Sequence, residues 1–252
     1  MAHYFDRFFR RHMNALRVAR WGEPSVPAGA GPVIVYSNHP AWWDAAIYIL
    51  AARRYFPEAE SYAPLDAAML ERYRVFGRIG AFGVDLESPA GAAHFLAASA
   101  DVLSAPNRVM WVAAQGRFGD VRERPLGLKP GVARLAELAP EDAVFLPLAI
   151  EYAFWLERGG EACLAFGPPL AASELAALPR PERLARLERT LAGTLDDLSR
   201  DVMSREPARF VPVIEGNAGV GGIYDAARRL GSALRGQRFR AGHADALSER
   251  RS

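Results

Sequence analysis

The segment VIVYSNHPAWWD, at residues 33–44, joins a β-branched apolar run to a polar turn that carries a histidine and an aspartate. Residues 33–36 are typical of a buried strand, and a proline bends the chain directly after His39. The next segment, AAIYILAA at 45–52, contains good helix formers and no helix breaker. The sequence therefore predicts a strand, a turn and a helix, with His39 at the strand exit and Asp44 at the helix start.

This turn allows Asp44 to fold back towards the imidazole of His39. A carboxylate that accepts the Nδ1 hydrogen of a histidine fixes the tautomer and leaves Nε2 basic. Such a histidine can take the proton from a hydroxyl group while that hydroxyl attacks a carbonyl. The alternative is structural: Asp44 caps the helix, and His39 is an ordinary histidine in a turn.

The whole chain has 252 residues, 50% of them hydrophobic and 24% charged, with a net charge of +2. These values suit one globular domain with a sizeable core, and the charge is too small to indicate a nucleic acid partner. Lys129 is the only lysine, and the excess of arginine and alanine favours a GC-rich, bacterial genome. Cys163 is the only cysteine, which excludes an intramolecular disulfide and indicates the reduced cytoplasm.

Neither a membrane span nor a metal site is expected from the sequence. No apolar run approaches the roughly 20 residues that a spanning helix needs. No set of His, Asp and Glu has the spacing of metal ligands, and a single cysteine cannot build a zinc site. If the protein acts on lipid, we expect it to work from the membrane surface.

Residues 1–21 combine large apolar residues with arginines. The apolar positions follow helical spacing and consist of Phe5, Phe8, Phe9, Met13 and Leu16. A helix with an aromatic face and flanking arginines is suited to a bilayer interface, so we predict an amphipathic membrane-surface helix. One alternative is that this face packs on the protein's own core, and another is an arginine-rich targeting peptide.

Apolar strand-like runs alternate with helical patterns along the rest of the chain. The strand-like runs lie near 61–65, 108–114, 143–150 and 161–167, a loop that leads into a strand lies at 78–86, and the helical patterns lie near 67–73, 89–103, 131–138 and 172–204. This alternation predicts an α/β fold around a largely buried sheet. We divide the chain into the helix at 1–21, a Gly/Pro/Ala linker at 22–32, a main domain at 33–204 and a basic, partly disordered extension at 205–252.

The segment NHPAWWD at 38–44 resembles the N-H-x-x-x-x-D block of the glycerolipid acyltransferase superfamily, which includes the 1-acylglycerol-3-phosphate acyltransferases. Later segments follow in the family's order. LKPGVA at 128–133 resembles its K-x-G-A helix start, FLPLAI at 145–150 its V-P-V-A-I block, and FGPP at 166–169 its G-x-P strand end. The resemblance covers about residues 33–170 and implies the family's mixed sheet flanked by helices.

Two blocks that face the acceptor in this family are altered here. Leu86 stands where the G-x-I-x-x-x-R block has its arginine. In place of F-P-E-G-T-R, residues 113–118 read AAQGRF, so Gly116 is kept, Gln115 replaces the glutamate, and Arg117 lies one residue early. A phosphate would lack its usual partner at this site, which favours an acceptor without phosphate, such as a glycosylated terpenoid or an amino-lipid. Alternatively, Arg117 and Lys129 compensate.

The resemblance implies an O-acyltransferase in which His39 is the general base and Asp44 orients it. The donor would be a thioester of CoA or acyl carrier protein, the acceptor a hydroxyl of a lysophospholipid-like or other lipid, and no further cofactor or metal would take part. The expected substrate contacts are Asn38, Trp42, Trp43, Gln115, Gly116, Arg117 and Lys129. The protein would be peripheral on the cytoplasmic face of a membrane.

Other interpretations remain open from the sequence. The altered third block is compatible with a catalytically weak or inactive lipid-binding homologue. A nucleotide-dependent oxidoreductase would rest on VPVIEGNAGVGG at 211–222, but its glycines do not fit G-x-G-x-x-G. A serine hydrolase is disfavoured because G-x-S-x-G does not occur. Within the site, Trp42 and Trp43 could be core anchors, and Arg117 could be a loop arginine paired with Asp120.

Overall fold

The computed structural model describes residues 2–85, 88–155 and 157–216. Within these residues the chain forms a nine-stranded mixed sheet with helices packed against it. The predicted α/β class and the mixed sheet flanked by helices are therefore confirmed.

The elements follow the chain in this order. The strands are β1 Met13–Ala19, β2 Val33–Ser37, β3 Glu60–Asp66, β4 Ala81–Val84, β5 Arg108–Ala113, β6 Val144–Ala153, β7 Gly160–Phe166, β8 Leu170–Ala171 and β9 Phe210–Glu215. The helices are α1 Ala2–His12, α2 Asp44–Tyr55, α3 Ala67–Arg72, α4 Pro89–Val102, α5 Pro130–Leu138, α6 Ala172–Ala176 and α7 Arg180–Ser204. Short 3-10 turns lie at Phe76–Ile79 and Pro207–Arg209.

The sheet has a parallel half and a mixed edge. Its strand order is β4-β3-β5-β2-β6-β7-β1-β9, with β8 paired to β6. The strands from β4 to β6 in this order run parallel. Beyond them, β7 is antiparallel to β6, β1 is parallel to β7, and β9 is antiparallel to β1. Every residue of β2 is buried, as expected for a strand covered on both faces.

Alternate residues of β2 face two different cores. Ile34 and Tyr36 pack in the core that also holds residues of α5 and α7, whereas Val33 and Val35 pack with α1 and α2. The helices that follow the neighbouring strands β2 and β5 therefore lie on opposite faces of the sheet. Connections that diverge in this way leave a crevice at the carboxyl ends of the strands, where α/β proteins commonly bind ligands.

The N-terminal segment differs from the helix predicted at 1–21. Helix α1 ends at His12, and the chain continues as β1 between β7 and β9. Leu16 and Val18 share one core, which fits the two-residue period of a strand. Phe5 and Phe9 are buried in the same core, so most of the face assigned to a membrane packs inside the protein.

The C-terminal boundary also differs from the predicted one at residue 204. Strand β9 pairs with β1, and its first residue, Phe210, is buried. The sheet thus includes two strands that the division at 33–204 had left out. The strand proposed for a dinucleotide site is this antiparallel edge strand, which does not fit the parallel βαβ unit of such sites. Residues 217–252 lie outside the described part of the chain.

Two further observations concern the predicted helix at 172–204 and the length of the helices. The single helical pattern at 172–204 is divided into α6 and α7, because Pro179 disfavours helical geometry at the residue before it. In the part of the chain that the structure describes, no helix is both long and apolar enough to cross a bilayer.

Candidate active site

His39 and Asp44 meet in the turn between β2 and α2. The Nδ1 atom of His39 lies 2.6 Å from Oδ2 of Asp44, so the contact expected from the sequence is present. The Asp44 side chain has no exposed surface, whereas 24% of the His39 side chain is exposed. Asp44 Oδ2 also accepts a hydrogen bond from the backbone N–H of Ala41 at 3.3 Å.

The contacts of Asp44 decide between the two interpretations of this residue. Asp44 is the first residue of α2, and no side chain caps that helix. Its carboxylate therefore bonds to His39 and to the N–H of Ala41 rather than capping the helix. An ionised carboxylate can only accept, so a neutral imidazole bonded to it has its hydrogen on Nδ1 and its lone pair on Nε2. The arrangement can support a general base.

Tyr152 holds the second oxygen of Asp44, and sequence reasoning missed it. This residue lies on β6, and its hydroxyl donates a hydrogen bond of 2.6 Å to Asp44 Oδ1. Burial and the negative charge of Asp44 raise the pKa of the Tyr152 phenol well above its usual range. The phenol therefore stays protonated as a donor. Strand periodicity was the available signal, because Leu148 and Ile150, in register with Tyr152, face the core that contains α2.

Asn38 is a support of the turn rather than an exposed substrate contact. Its Nδ2 donates to the carbonyl of Ile150 at 2.8 Å, and its Oδ1 accepts from the N–H of Ile150 at 2.9 Å. Only 1% of the residue is exposed. The side chain thus extends the pairing of β2 with β6 beyond Ser37 and Leu148. Asn38 thus has a positioning role, and its predicted contact with substrate stays a prediction.

Gln115 likewise supports His39 from the loop after β5. Its Oε1 accepts from the backbone N–H of His39 at 2.8 Å, and its Nε2 donates to the carbonyl of Leu126 at 2.8 Å. The N–H of Gly119 donates to the carbonyl of His39 at 3.0 Å. Both backbone polar groups of His39 are therefore held by this loop. A glutamate could not donate to Leu126, which gives a physical reason for the amide. Gln115 is 1% exposed, and its predicted contact with the acceptor stays a prediction.

The rest of the same loop forms the open side of the site. The ring of Phe118 lies over His39 with 4.4 Å between the ring centroids, and 59% of Phe118 is exposed. Arg117 pairs with Glu123 through both terminal nitrogens of its guanidinium group. Asp120, the partner considered from the sequence, pairs with Arg122 instead. Phe118 had no role in the sequence-based prediction, although it lies within the segment aligned with the third block.

Lys129 and Gly116 are close neighbours at this rim. Lys129 is exposed, and no ion pair involves it among the residues that the structure describes. Gly116 has a φ of +59°, and a Cβ there would lie 3.0 Å from Cγ of Lys129. Glycine is suited to this position because it tolerates positive φ and leaves room for the lysine side chain.

The two tryptophans of the turn have different environments. Trp43 packs against α1, with ring centroids 5.2 Å from Phe8 and 5.9 Å from Phe9. Trp42 is 54% exposed and lies 5.8 Å from Trp43 in a T-shaped arrangement. Trp43 is thus a core anchor, whereas Trp42 can contact a ligand.

An exposed aromatic surface extends from the turn across α1. We define it by Tyr4, Trp42 and Tyr73, which are 62%, 54% and 38% exposed. Phe8 links Trp42 to Tyr4, with centroid distances of 6.3 and 6.1 Å. In the same segments lie exposed arginines without a carboxylate partner among the described residues: Arg7, Arg11, Arg72, Arg74 and Arg78.

Two further predictions concern Leu86 and metal binding. Leu86, which stands in the place of the second block's arginine, lies outside the described residues. Across residues 2–85, 88–155 and 157–216, no group of three or more His, Cys, Asp or Glu side chains could hold a metal ion.

Comparison with protein-family models gives no match for this chain, and comparison with curated proteins gives none either. The functional argument therefore depends on the geometry of the turn and on the motifs that it carries.

Proposed function

We propose that the protein is an O-acyltransferase that moves a fatty acyl group from a thioester to a hydroxyl of a lipid acceptor. One observation carries the proposal: a fully buried aspartate holds Nδ1 of a partly exposed histidine at the carboxyl end of a central strand. This is the arrangement that a histidine general base requires. The motif resemblance over residues 33–170 supplies the reaction class.

The proton transfers of the proposed reaction involve His39, Asp44 and the two substrates. Nε2 of His39 takes the proton from the acceptor hydroxyl, and the oxygen forms a bond to the thioester carbonyl. The tetrahedral intermediate collapses with cleavage of the carbon–sulfur bond, and the imidazolium returns the proton to the departing thiolate. A thiol pKa of about 8.5 makes the thiolate a good leaving group. Asp44 stabilises the imidazolium while it exists.

The loop after β5 is the proposed source of hydrogen bonds to the oxyanion. The N–H of Gly116 donates to Ala113, and that of Gly119 donates to His39, so neither can serve. The N–H groups of Arg117 and Phe118 have no acceptor among the described residues and belong to the same loop. Backbone donors close to a catalytic base are well suited to a developing oxyanion.

The acceptor in this proposal is a lipid without phosphate, and the donor is acyl-CoA or acyl-ACP. The charge of Arg117 is already paired with Glu123, which leaves a phosphate on the acceptor without that partner. Trp42 and Phe118 offer exposed aromatic surface for an acyl chain. Lys129 is exposed and has no ion-pair partner among the described residues, so its ammonium is available for the phosphates of the donor.

The finer fold assignment and the location belong to the same proposal. The segment resembling K-x-G-A leads into α5, and the one resembling V-P-V-A-I lies within β6, which supports an acyltransferase-like sheet. The exposed aromatic surface and its arginines support peripheral binding on the cytoplasmic face of a membrane.

The test is incubation with labelled acyl-CoA or acyl-ACP and a bacterial lipid extract, with products identified by mass spectrometry. We expect one acylated lipid class with the wild-type protein and none with His39→Ala. Binding to the extract without any product would instead favour a lipid-binding homologue that has lost activity.

A further inference from the structure

The carboxylate of Asp44 has two sides with different partners. Oδ2 meets His39 and the N–H of Ala41, whereas Oδ1 meets the hydroxyl of Tyr152 at 2.6 Å. The tyrosine comes from β6, 108 residues further along the chain, so the contact is tertiary. Asp44 has no exposed surface, so no solvent substitutes for a lost partner.

We infer that Tyr152 is a positioning residue, which fixes the Asp44 carboxylate and limits how strongly it attracts a proton onto His39. A hydroxyl that donates to a carboxylate draws charge away from it and directs a positive dipole end towards the site. Both effects stabilise the neutral imidazole relative to the imidazolium. In a buried site these effects are larger than in water. Tyr152 thus keeps His39 available as a base at lower pH.

The other groups around the pair are accounted for. From α2, the hydroxyl of Tyr48 bonds to Ser37 Oγ at 2.5 Å, and burial together with Asp44 raises the pKa of this phenol. From the loop after β5 come the paired charges of Arg117 and Glu123. From α1, His12 lies on the outer side of Trp43, with 6.1 Å between ring centroids. Tyr152 is the neighbour whose hydroxyl bonds to the carboxylate itself.

This contrast provides a matched pair of variants. Tyr152→Phe removes the hydroxyl that bonds to Asp44, and Tyr48→Phe removes a neighbouring hydroxyl that bonds to a serine instead. A third variant carries 3-fluorotyrosine at position 152, which keeps the hydroxyl and makes it a stronger donor. Thermal unfolding of each variant shows whether the fold is retained, and the fluorinated protein preserves the test if Tyr152→Phe does not fold.

The measurement is an NMR titration of the histidine ring protons, with the His39 signal identified by its loss in His39→Gln. We expect Tyr152→Phe to move the His39 titration midpoint upwards, and 3-fluorotyrosine to move it downwards. Tyr48→Phe should produce a clearly smaller change. An unchanged midpoint in Tyr152→Phe, or equal shifts in the two phenylalanine variants, would overturn the inference. A purely structural role would not produce shifts of opposite sign.

This inference rests on the proposed base, but its test requires no substrate. If the midpoint shifts as expected and no acyl transfer is found with any donor, the role of Tyr152 stands and the proposed function fails. If acyl transfer is found, the acid limb of kcat/KM against pH should move in the same direction as the midpoint. Transfer without either shift keeps the proposed function and removes this role.

Discussion

The supports of His39 and the rim around it differ in how their polar groups are partnered. On the support side, Asn38 and Gln115 are each 1% exposed, and both polar atoms of each amide are hydrogen-bonded to backbone groups. On the rim, Lys129 is exposed and without an ion pair among the described residues, and Phe118 and Trp42 expose more than half of their surface.

This difference has a physical cause. A buried polar group without a partner costs about 1–3 kcal/mol, so the side chains that hold the turn must be fully bonded. The polar groups of the rim are hydrated, so they need no partner within the protein and can bind a ligand. The comparison teaches that the base is positioned by contacts that a substrate does not disturb, while specificity is left to residues that can be changed at little cost to folding.

The largest expected effect comes from removing the base itself. We expect His39→Ala to reduce kcat by about 100-fold or more with the fold retained, since general base catalysis contributes roughly 10²–10⁴-fold. Asp44→Asn should cost nearly as much, because an amide can donate to the imidazole and favour the wrong tautomer. The rates are measured by acyl transfer to the lipid acceptor that the labelled-donor assay identifies. A correctly folded His39→Ala protein with the wild-type rate would refute the mechanism.

Removing a support should affect stability and activity together. Asn38→Ala leaves both backbone groups of Ile150 unpaired, and we expect a loss of about 2–4 kcal/mol in the free energy of unfolding. Lys129→Ala, at the rim, should change this free energy by less than about 0.5 kcal/mol. Chemical denaturation of both variants measures the contrast. Equal stability of the two would show that Asn38 does not hold the turn.

The rim is expected to control the choice of acceptor. The wild-type protein should prefer a hydroxylated lipid without phosphate over lysophosphatidic acid, because Glu123 neutralises Arg117. Glu123→Gln frees the guanidinium, and we expect the relative rate with lysophosphatidic acid to rise by about threefold, a modest factor since the site is exposed. Asp120→Asn is the matched control, because Asp120 pairs with Arg122. A wild-type preference for lysophosphatidic acid that Arg117→Ala abolishes would contradict this interpretation.

The same contrast explains what could be predicted from the sequence. His39 and Asp44 lie five residues apart across one turn, so local pattern was sufficient to place them together. Tyr152 and Ile150 reach the turn from more than 100 positions away, and no spacing rule connects them to it. Alignment with a motif drew attention to Gln115, but it could not show that its side chain turns inward to the backbone of His39.

The N-terminal segment illustrates a different limit. Its apolar residues fit a helical period as far as Phe9, and the following residues also fit the two-residue period of a strand. Pairing with β7 and β9, which are distant in sequence, decides in favour of the strand. Tertiary packing therefore buries some of the aromatic residues that were assigned to a membrane and leaves others at the surface. The periodicity of the sequence does not show which residues it buries.

The final prediction concerns the exposed aromatic surface and binding to anionic lipid. Because Phe5 and Phe9 are buried, the residues left to enter a bilayer interface are those that the fold exposes, including Tyr4 and Tyr73. A large side chain contributes about 1.5–3 kcal/mol at full burial, and less at the interface. Each nearby arginine adds about 1 kcal/mol at an anionic surface. These contributions suffice for reversible binding.

We therefore expect Tyr4→Ser combined with Tyr73→Ser to weaken binding to anionic vesicles by about tenfold, with activity on a detergent-dispersed acceptor retained. Met203→Ser is the control, because Met203 is 70% exposed but lies in another part of the fold. It is two residues after Asp201, whose carboxylate accepts a hydrogen bond from Trp21, just past the C-terminal end of β1. Vesicle sedimentation at low and high salt measures both changes. Binding that is unaffected in the double variant, or that falls equally in Met203→Ser, would place the membrane contact on another face.

Phe5→Ser should instead lower the unfolding temperature, since that side chain packs against Phe76 and the core. The two outcomes separate a surface that binds lipid from a helix that only completes the fold.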